Sequence, residues 1–434
     1  VAQRAASIKT TPEEKQKIFK DEIDRISMMA LEKVHQADWM TIFPPADPKE
    51  KVWRNTYDLF LQNKADTNTF DSSAILTALE ETCMAISTQK ETAQNFKDLA
   101  HILIQEIHKQ EQAKDVRKKI TMENTYYSWD LIYKSLMLFI AVFLSICFSF
   151  MNPKSKKWNL INGVILIIPI TMLTVAITMR CLILSRPPVA TLYETILFIT
   201  AVICLVCLGI ELIFKNSVSL FATSIIGTGG LFLSYAYESG DGTDTMGNLA
   251  AVLNSNFWLS THVTAVLIGY SAGLLASIFA HIYIFAKVFR ITDDKEFYKI
   301  ICKIIYGVLC FCTLFATVGT ILGGIWANYS WGRFWGWDPK ENGALAIVLW
   351  NLIILHGRLG GIFKEFGIVM MSVIGGMVVV ASWWGVNQLG VGLHSYGFTD
   401  GIVSNLIIFA VLELSCIAVG LFHHYVIERL KTTP

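Results

Sequence analysis

From Leu131 to the C-terminal end the chain is a succession of apolar runs, each close to the ~20 residues that a helix needs to cross a bilayer. About nine can be counted, near 132–151, 158–179, 192–213, 217–236, 258–286, 302–325, 342–362, 366–384 and 403–422. Unpaired backbone groups are not tolerated in hydrocarbon, so repeated runs of this length predict an all-α, polytopic membrane helix bundle. The remaining composition agrees, with 53% hydrophobic residues, 16% charged residues and a mean hydropathy of +0.47. A formal net charge of +1 offers nothing to nucleic acid.

Residues 1 to about 130 have a different character. KQKIFKDEIDRISMMALEKVHQ and the stretch from Phe70 to Gln110 place apolar residues at helical spacing among charges, with the proline-rich FPPADPKEKVW between them. Asp71-Ser72-Ser73 opens the second stretch with good N-cap residues. The division expected is a soluble, mostly helical region over 1–130 and a membrane domain over 131–434. The chain opens on Val1, and its Lys-, Glu- and Asp-rich start has no signal-peptide pattern. It is therefore expected to be processed or to be a piece of something longer.

Orientation follows from the basic residues. Lys154, Lys156, Lys157, Lys215, Lys287, Arg290, Lys295, Arg358, Lys364, Arg429 and Lys431 all fall on one side if the spans alternate. That side is expected to be cytoplasmic. The N-terminal region is then outside, with four connections: Arg180 to Glu194, Glu238 to Trp258, the loop after the sixth span, and Gly385 to Gly401.

The third of these connections is the most unusual. WGRFWGWDPKE, Trp331 to Glu341, holds three of the 12 tryptophans, Trp331, Trp335 and Trp337, and then Asp338. Indoles favour a membrane interface, but several on one short loop also make a platform for a flat apolar ligand. His262, in WLSTHV, and His394, in LGVGLHSYG, come to the same depth beside it. Two neutral imidazoles facing each other across a flat space are what a six-coordinate haem iron requires. His356, inside the seventh span towards its cytoplasmic end, is costly there and is a functional candidate by default. His281 could face it on depth alone, but IFAHIYIFAK reads as a histidine near a membrane boundary, as do His423 and His424. His35, His101 and His108 read as solvated. Most of the nine cysteines, Cys204-x-x-Cys207 included, sit in apolar runs and behave as small hydrophobes.

These motifs resemble a known family. WGRFWGWDPKE matches the tryptophan-rich signature of the haem-handling proteins of cytochrome c biogenesis. RPPVATLYE, WLSTHV with His262, GVNQLGVGLHSYG with His394 and LHGRL with His356 are similar to motifs of the CcsA/ResC branch. That branch is the membrane half of the system II cytochrome c synthase. The resemblance implies that His262 and His394 ligate haem b iron at the outer surface, against Trp331, Trp335 and Trp337. It implies that His356 belongs to a haem site reached earlier, from the cytoplasmic side. The partner of that histidine lies in the CcsB/ResB part of fused synthases, so this chain resembles the C-terminal portion of a CcsB–CcsA fusion or works with a separate partner.

The activity implied is attachment of haem to the C-x-x-C-H peptide of an apocytochrome c, by a synthase in the cytoplasmic membrane with its active face outside. An exporter or loader that passes haem on without forming thioether bonds is the alternative, and a secondary transporter without haem is a second. Asp338 and Glu341 are expected to orient or hydrogen-bond, and Arg186, Arg333 or Lys340 to pair with haem propionates. A solvated loop edge is the plain alternative for Lys340 and Glu341. Haem retention is expected to weaken below pH ~6.5, where unperturbed histidine protonates.

Overall fold

The computed structural model of the protein describes residue 101 and residues 113–149, 156–215, 217–241, 246, 255–389, 391, 394 and 402–427. His35, His108 and the expected N-cap at Asp71 lie outside them. Two compact units divide the chain, Val1–Thr121 and Met122–Pro434. The second holds His262, His394 and the tryptophan-rich loop.

The described residues form helices and the turns between them, with no strand. The helices are α1 (Ala113–Trp129), α2 (Leu131–Ser149), α3 (Lys156–Leu184), α4 (Leu192–Phe214) and α5 (Val218–Asp241). They are followed by α6 (Asn256–Val288), α7 (Lys295–Trp331), α8 (Pro339–Leu359), α9 (Glu365–Trp383) and α10 (Val403–Ile427). Among the described residues, nine helices are long and apolar enough to cross a membrane, and they coincide with the nine runs in the sequence. The protein is a multi-pass membrane bundle.

α6 is the most enclosed of these spans and α10 the least. α6 packs on α7, α9 and α4, while α2, α3, α4 and α5 form a second group joined through α4. Close approach explains the centre. A Cβ on Gly269 of α6 would lie 2.9 Å from the Ala316 nitrogen, and one on Gly319 of α7 would lie 2.9 Å from the Val266 nitrogen. Small residues let two backbones meet where lipid offers no hydrophobic drive.

α7 has 37 residues, which at 1.5 Å per residue span roughly 55 Å, well beyond a ~30 Å hydrocarbon layer. Its last turns carry Trp326, Tyr329 and Trp331 beyond the apolar core of the helix. The connection to α8 therefore stands at one end of the bundle, the tryptophan-rich end. Lys287, Arg290, Lys295, Arg358 and Lys364 lie at the opposite, basic end.

Candidate functional site

The local structure of WGRFWGWDPKE follows from its residues one by one. Trp331 is the last residue of α7 rather than part of the loop. Gly332 stops the helix in the left-handed region, at φ 70, with its N–H donated to the Asn328 carbonyl. Phe334 turns back over Gly324, where no Cβ would fit. Asp338 is the N-cap of α8, Pro339 takes the first helical position, and Glu341 closes a capping box. The Glu341 carboxylate also accepts the Gly336 N–H at 2.7 Å and lies 3.3 Å from the Arg333 guanidinium. Neither Lys340 nor Glu341 is a solvated edge. The Lys340 ammonium donates to the Ser382 and Trp383 carbonyls at the end of α9, at 3.3 and 2.8 Å.

Trp335 and Trp337 meet edge to face with ring centres 6.0 Å apart, and Trp337 is 69% exposed. Trp331 instead meets His394, with ring centres 4.8 Å apart and planes at 89°. The same histidine is held by Asp338, itself 4% exposed. Its Nδ1 lies 3.3 Å from Oδ1, and its backbone N–H is 3.4 Å from Oδ2. A carboxylate only accepts, so its position 3.3 Å away favours the proton on Nδ1 and the lone pair on Nε2, although the contact lacks hydrogen-bond alignment; an acid orients metal-binding histidines from this side. Burial pushes the His394 pKa below the usual histidine value, and the Asp338 and Glu341 carboxylates only partly oppose it.

His262 reaches the same end from α6. The first turn of that helix is followed by a π-turn, Leu259–Val263, a geometry frequent at functional sites. The His262 Nδ1 lies 2.8 Å from the Gly319 carbonyl of α7. A carbonyl has no proton to give, so Nδ1–H is again the donor and Nε2 again carries the lone pair. Trp326 meets the ring edge on, with centres 5.6 Å apart, and Trp258 stacks on Trp326 at 6.2 Å and 11°.

The structure thus brings His394, Trp331 and Asp338 into contact and sets His262 against the last turns of α7, the helix that carries Trp331, with Trp335 and Trp337 on the adjoining loop. Trp258, Trp326, Gly319 and Gly323 belong with them and were not singled out by sequence reasoning. A signal existed: residues 319, 323 and 326 follow helical i, i+4, i+7 spacing and share one face of α7.

RPPVATLYE is explained by one carboxylate. Glu194, 1% exposed, lies 2.7 Å from Arg186 and 3.4 Å from the fully buried Arg180, and it accepts the Ala190 and Thr191 N–H groups. Next to it, the Thr195 hydroxyl accepts from the Trp383 indole at 3.1 Å, so α4 is tied to the α9 end that Lys340 also holds. Arg186 keeps a second buried nitrogen, Nη2, with no hydrogen-bond partner among the described residues. Arg333 lies over Trp331, 5.9 Å from the ring centre.

His356 is apart from this group. It sits near the C-terminal, basic end of α8, on the exposed surface, with Nδ1 2.8 Å from the Leu352 carbonyl. His281 is not a bare boundary histidine and does not face it. Its Nδ1 meets the Ser277 carbonyl at 2.8 Å and its Nε2 meets Glu413 of α10 at 3.1 Å. Cys204 and Cys207 are fully buried, in line with a packing role. His101 is exposed. Among the described residues, no group of three histidine, cysteine or acidic side chains is placed to hold a bare metal ion.

The chain is similar to known proteins. The family model described as cytochrome C assembly protein matches residues 129–394, more than half of the chain, from before the first outer motif to His394. The cytochrome c biogenesis protein CcsA of Prochlorococcus marinus is 27% identical over 295 residues, covering 60% of this chain and 92% of that protein. Its counterpart in Chlamydomonas reinhardtii is 30% identical over 220 residues, covering 49% and 61%. Protein NrfI of Wolinella succinogenes is 31% identical over 232 residues, which cover 52% of this chain but only 25% of NrfI. The chain belongs to the cytochrome c assembly protein family, as a CcsA-type protein of cytochrome c biogenesis.

Proposed function

We propose that the tryptophan-rich end holds haem b, with His262 and His394 as its axial ligands, and presents it to an apocytochrome c for covalent attachment. The observation that carries this reading is the matched state of the two imidazoles. Each turns Nδ1 to an oxygen, the Gly319 carbonyl at hydrogen-bond distance for one and the Asp338 carboxylate 3.3 Å away for the other, which leaves Nε2 of each for a metal. The buried Nη2 of Arg186 suits a propionate. That makes Arg186 a better candidate than Arg333, which Glu341 engages, or Lys340, which the end of α9 engages. The indoles of Trp331, Trp335 and Trp337 exclude water and supply flat apolar contact.

Haem held there supplies two vinyl groups, and addition of a thiol S–H across each leaves a thioether with no oxidant consumed. The chain contributes position. His262 and His394 fix the site, and one of them yields to the histidine of the C-x-x-C-H peptide. That exchange sets the two peptide thiols beside their targets, where the gain is proximity and orientation.

On this reading the tryptophan-rich end faces the outside of the cytoplasmic membrane, as the basic residues of the other end support. Residues 1–130 are the end of a CcsB/ResB-like part or stand in for one, ahead of the CcsA-like membrane domain at 131–434. His356, exposed at the basic end, serves an earlier haem site completed by that partner.

An absorption spectrum of the purified chain tests the first step. A six-coordinate Soret band is expected, altered in both His262→Gly and His394→Gly; a spectrum unchanged in both variants ends the ligand assignment. Co-expression with an apocytochrome c tests the second. Covalent haem on the acceptor is expected, whereas non-covalent transfer alone assigns the chain to haem loading without synthesis.

A further inference from the structure

His262 does not reach the site unaided. The π-turn at Leu259–Val263 adds one residue to a helical turn, which rotates what precedes it by about 100° relative to the rest of α6. The ring is thereby delivered onto one face of α7, where three residues meet it. The Gly319 carbonyl takes the Nδ1 proton at 2.8 Å. Trp326 closes one side with its plane at 66° to the imidazole, itself braced by the stacked Trp258. Gly323 lies beneath the ring. A Cβ there would stand 2.5 Å from Cε1, 3.0 Å from Nδ1 and 3.2 Å from Nε2.

We propose that Gly319, Gly323 and Trp326 of α7 form a seat that sets the direction of the His262 imidazole, and that the absence of a side chain at position 323 is what makes the seat. The inference rests on the reading of His262 as an axial ligand. Its physical basis is that nothing else can yield. α6 and α7 are already in backbone contact at Gly269 with Ala316 and at Gly319 with Val266, where an added Cβ would stand 2.9 Å from the facing nitrogen in each case. The helices cannot part by the distance that a methyl at 323 requires without losing that contact. The imidazole must rotate instead, and in rotating it leaves the Gly319 carbonyl. These are positioning residues, acting on iron only through His262.

The test compares the full chain with Gly323→Ala, His262→Gly and the double variant, reading haem per protein and the Soret band after purification in detergent. Gly323→Ala is expected to lower retained haem by ~10-fold, the range for lost support of a metal-binding histidine, and to shift the band. In the His262→Gly background the same alanine is expected to change haem content by less than ~twofold, because coupled residues are non-additive. If His262→Gly alters the spectrum and Gly323→Ala does not, the seat is wrong and the ligand stands. If His262→Gly itself has no effect, the ligand assignment falls. An alanine effect of equal size in both backgrounds assigns Gly323 to the fold and overturns the proposal. Should Gly323→Ala not accumulate, Trp326→Leu decides: haem loss only when His262 is present supports the seat, and no loss overturns it.

Discussion

Trp337 is the one aromatic among the described non-glycine residues with positive φ. Its φ of 57 lies in the left-handed region, which costs a bulky L-residue roughly 1–2 kcal/mol. Bonds on both sides hold it there. Glu341 accepts the N–H of Gly336 and that of Asp338, and the Asn342 amide donates to the Trp337 carbonyl at 3.0 Å. The result is an indole projected outward rather than folded under the loop. Trp337→Gly should therefore leave the melting temperature unchanged or raise it, while haem content falls; a parallel loss of stability and haem would show that the indole is a packing residue. Asp338→Asn separates the two duties of the acid in another way. Asparagine caps a helix about as well as aspartate, so α8 should survive, but the anion that steadies His394 is gone and haem affinity should drop ~10-fold. Acid titration of the Soret band gives the sign for the wild type. Burial lowers the His394 pKa, so its neutral, ligating form persists below the ordinary value of ~6.5. Retention should outlast that pH rather than fail at it, and half-loss at or above it would count against His394 as a buried ligand. The histidines and tryptophans were legible in the sequence because such residues are costly or unusual where they stand. The conformation of Trp337 was not, since it is imposed by side chains four and five residues further on.

At the scale of elements, the spans were legible and their ends less so. The sixth apolar run, 302–325, marks only the hydrocarbon-matched part of α7, which continues from Lys295 to Trp331. A hydropathy pattern stops where polar residues begin, although the helix does not. The stretch beyond 325 is the one that carries Trp326 and Trp331 to the two histidines. Gly319 and Gly323 were passed over for a related reason: glycine is common in membrane helices, and only the neighbouring helix shows what the space is for. The RPPVATLYE segment is the opposite case. Its pattern was visible, but its centre, the Glu194 carboxylate bound both to Arg186 of the same segment and to Arg180 near the end of α3, required the fold. Glu194→Gln keeps the shape and removes the charge. Because Arg180 is fully buried and Arg186 nearly so, the loss should cost ~3–5 kcal/mol, the range for one partner of a buried ion pair. Thermal unfolding in detergent measures it. A change within ~1 kcal/mol, the range of solvent-exposed pairs, would mean that solvent reaches the guanidinium groups. Arg186 is also the proposed propionate partner, so the same variant should lose haem as the loop shifts.

The whole bundle is held unevenly, and the unevenness can be tested. α6 lies at the centre, with glycine contacts to its neighbours, whereas α10 is edged onto α9 and α6 and exposes many of its apolar side chains, among them Ile407, Val411, Leu414 and Phe422. What fastens it beyond van der Waals contact is a polar pair within the span, His281 with Glu413 at 3.1 Å. The Ser277 carbonyl takes the other ring nitrogen, so the second nitrogen faces the carboxylate in a medium where neither tolerates a lone charge. Elements with little buried contact open separately from the core, and α10 fits that description once the pair is removed. Glu413→Leu lets His281 stay neutral and still bonded to Ser277, so no unpaired charge is left behind. Amide hydrogen exchange in detergent should then rise along α10 while α6 and α7 keep their protection. The Soret band should not move, because His262 is held by α7 and His394 by Trp331 and Asp338, none of them on α10. Loss of haem together with α10 protection would mean that the last helix is part of the structure that aligns the two imidazoles, and that the tryptophan-rich end is not built independently of the far side of the bundle.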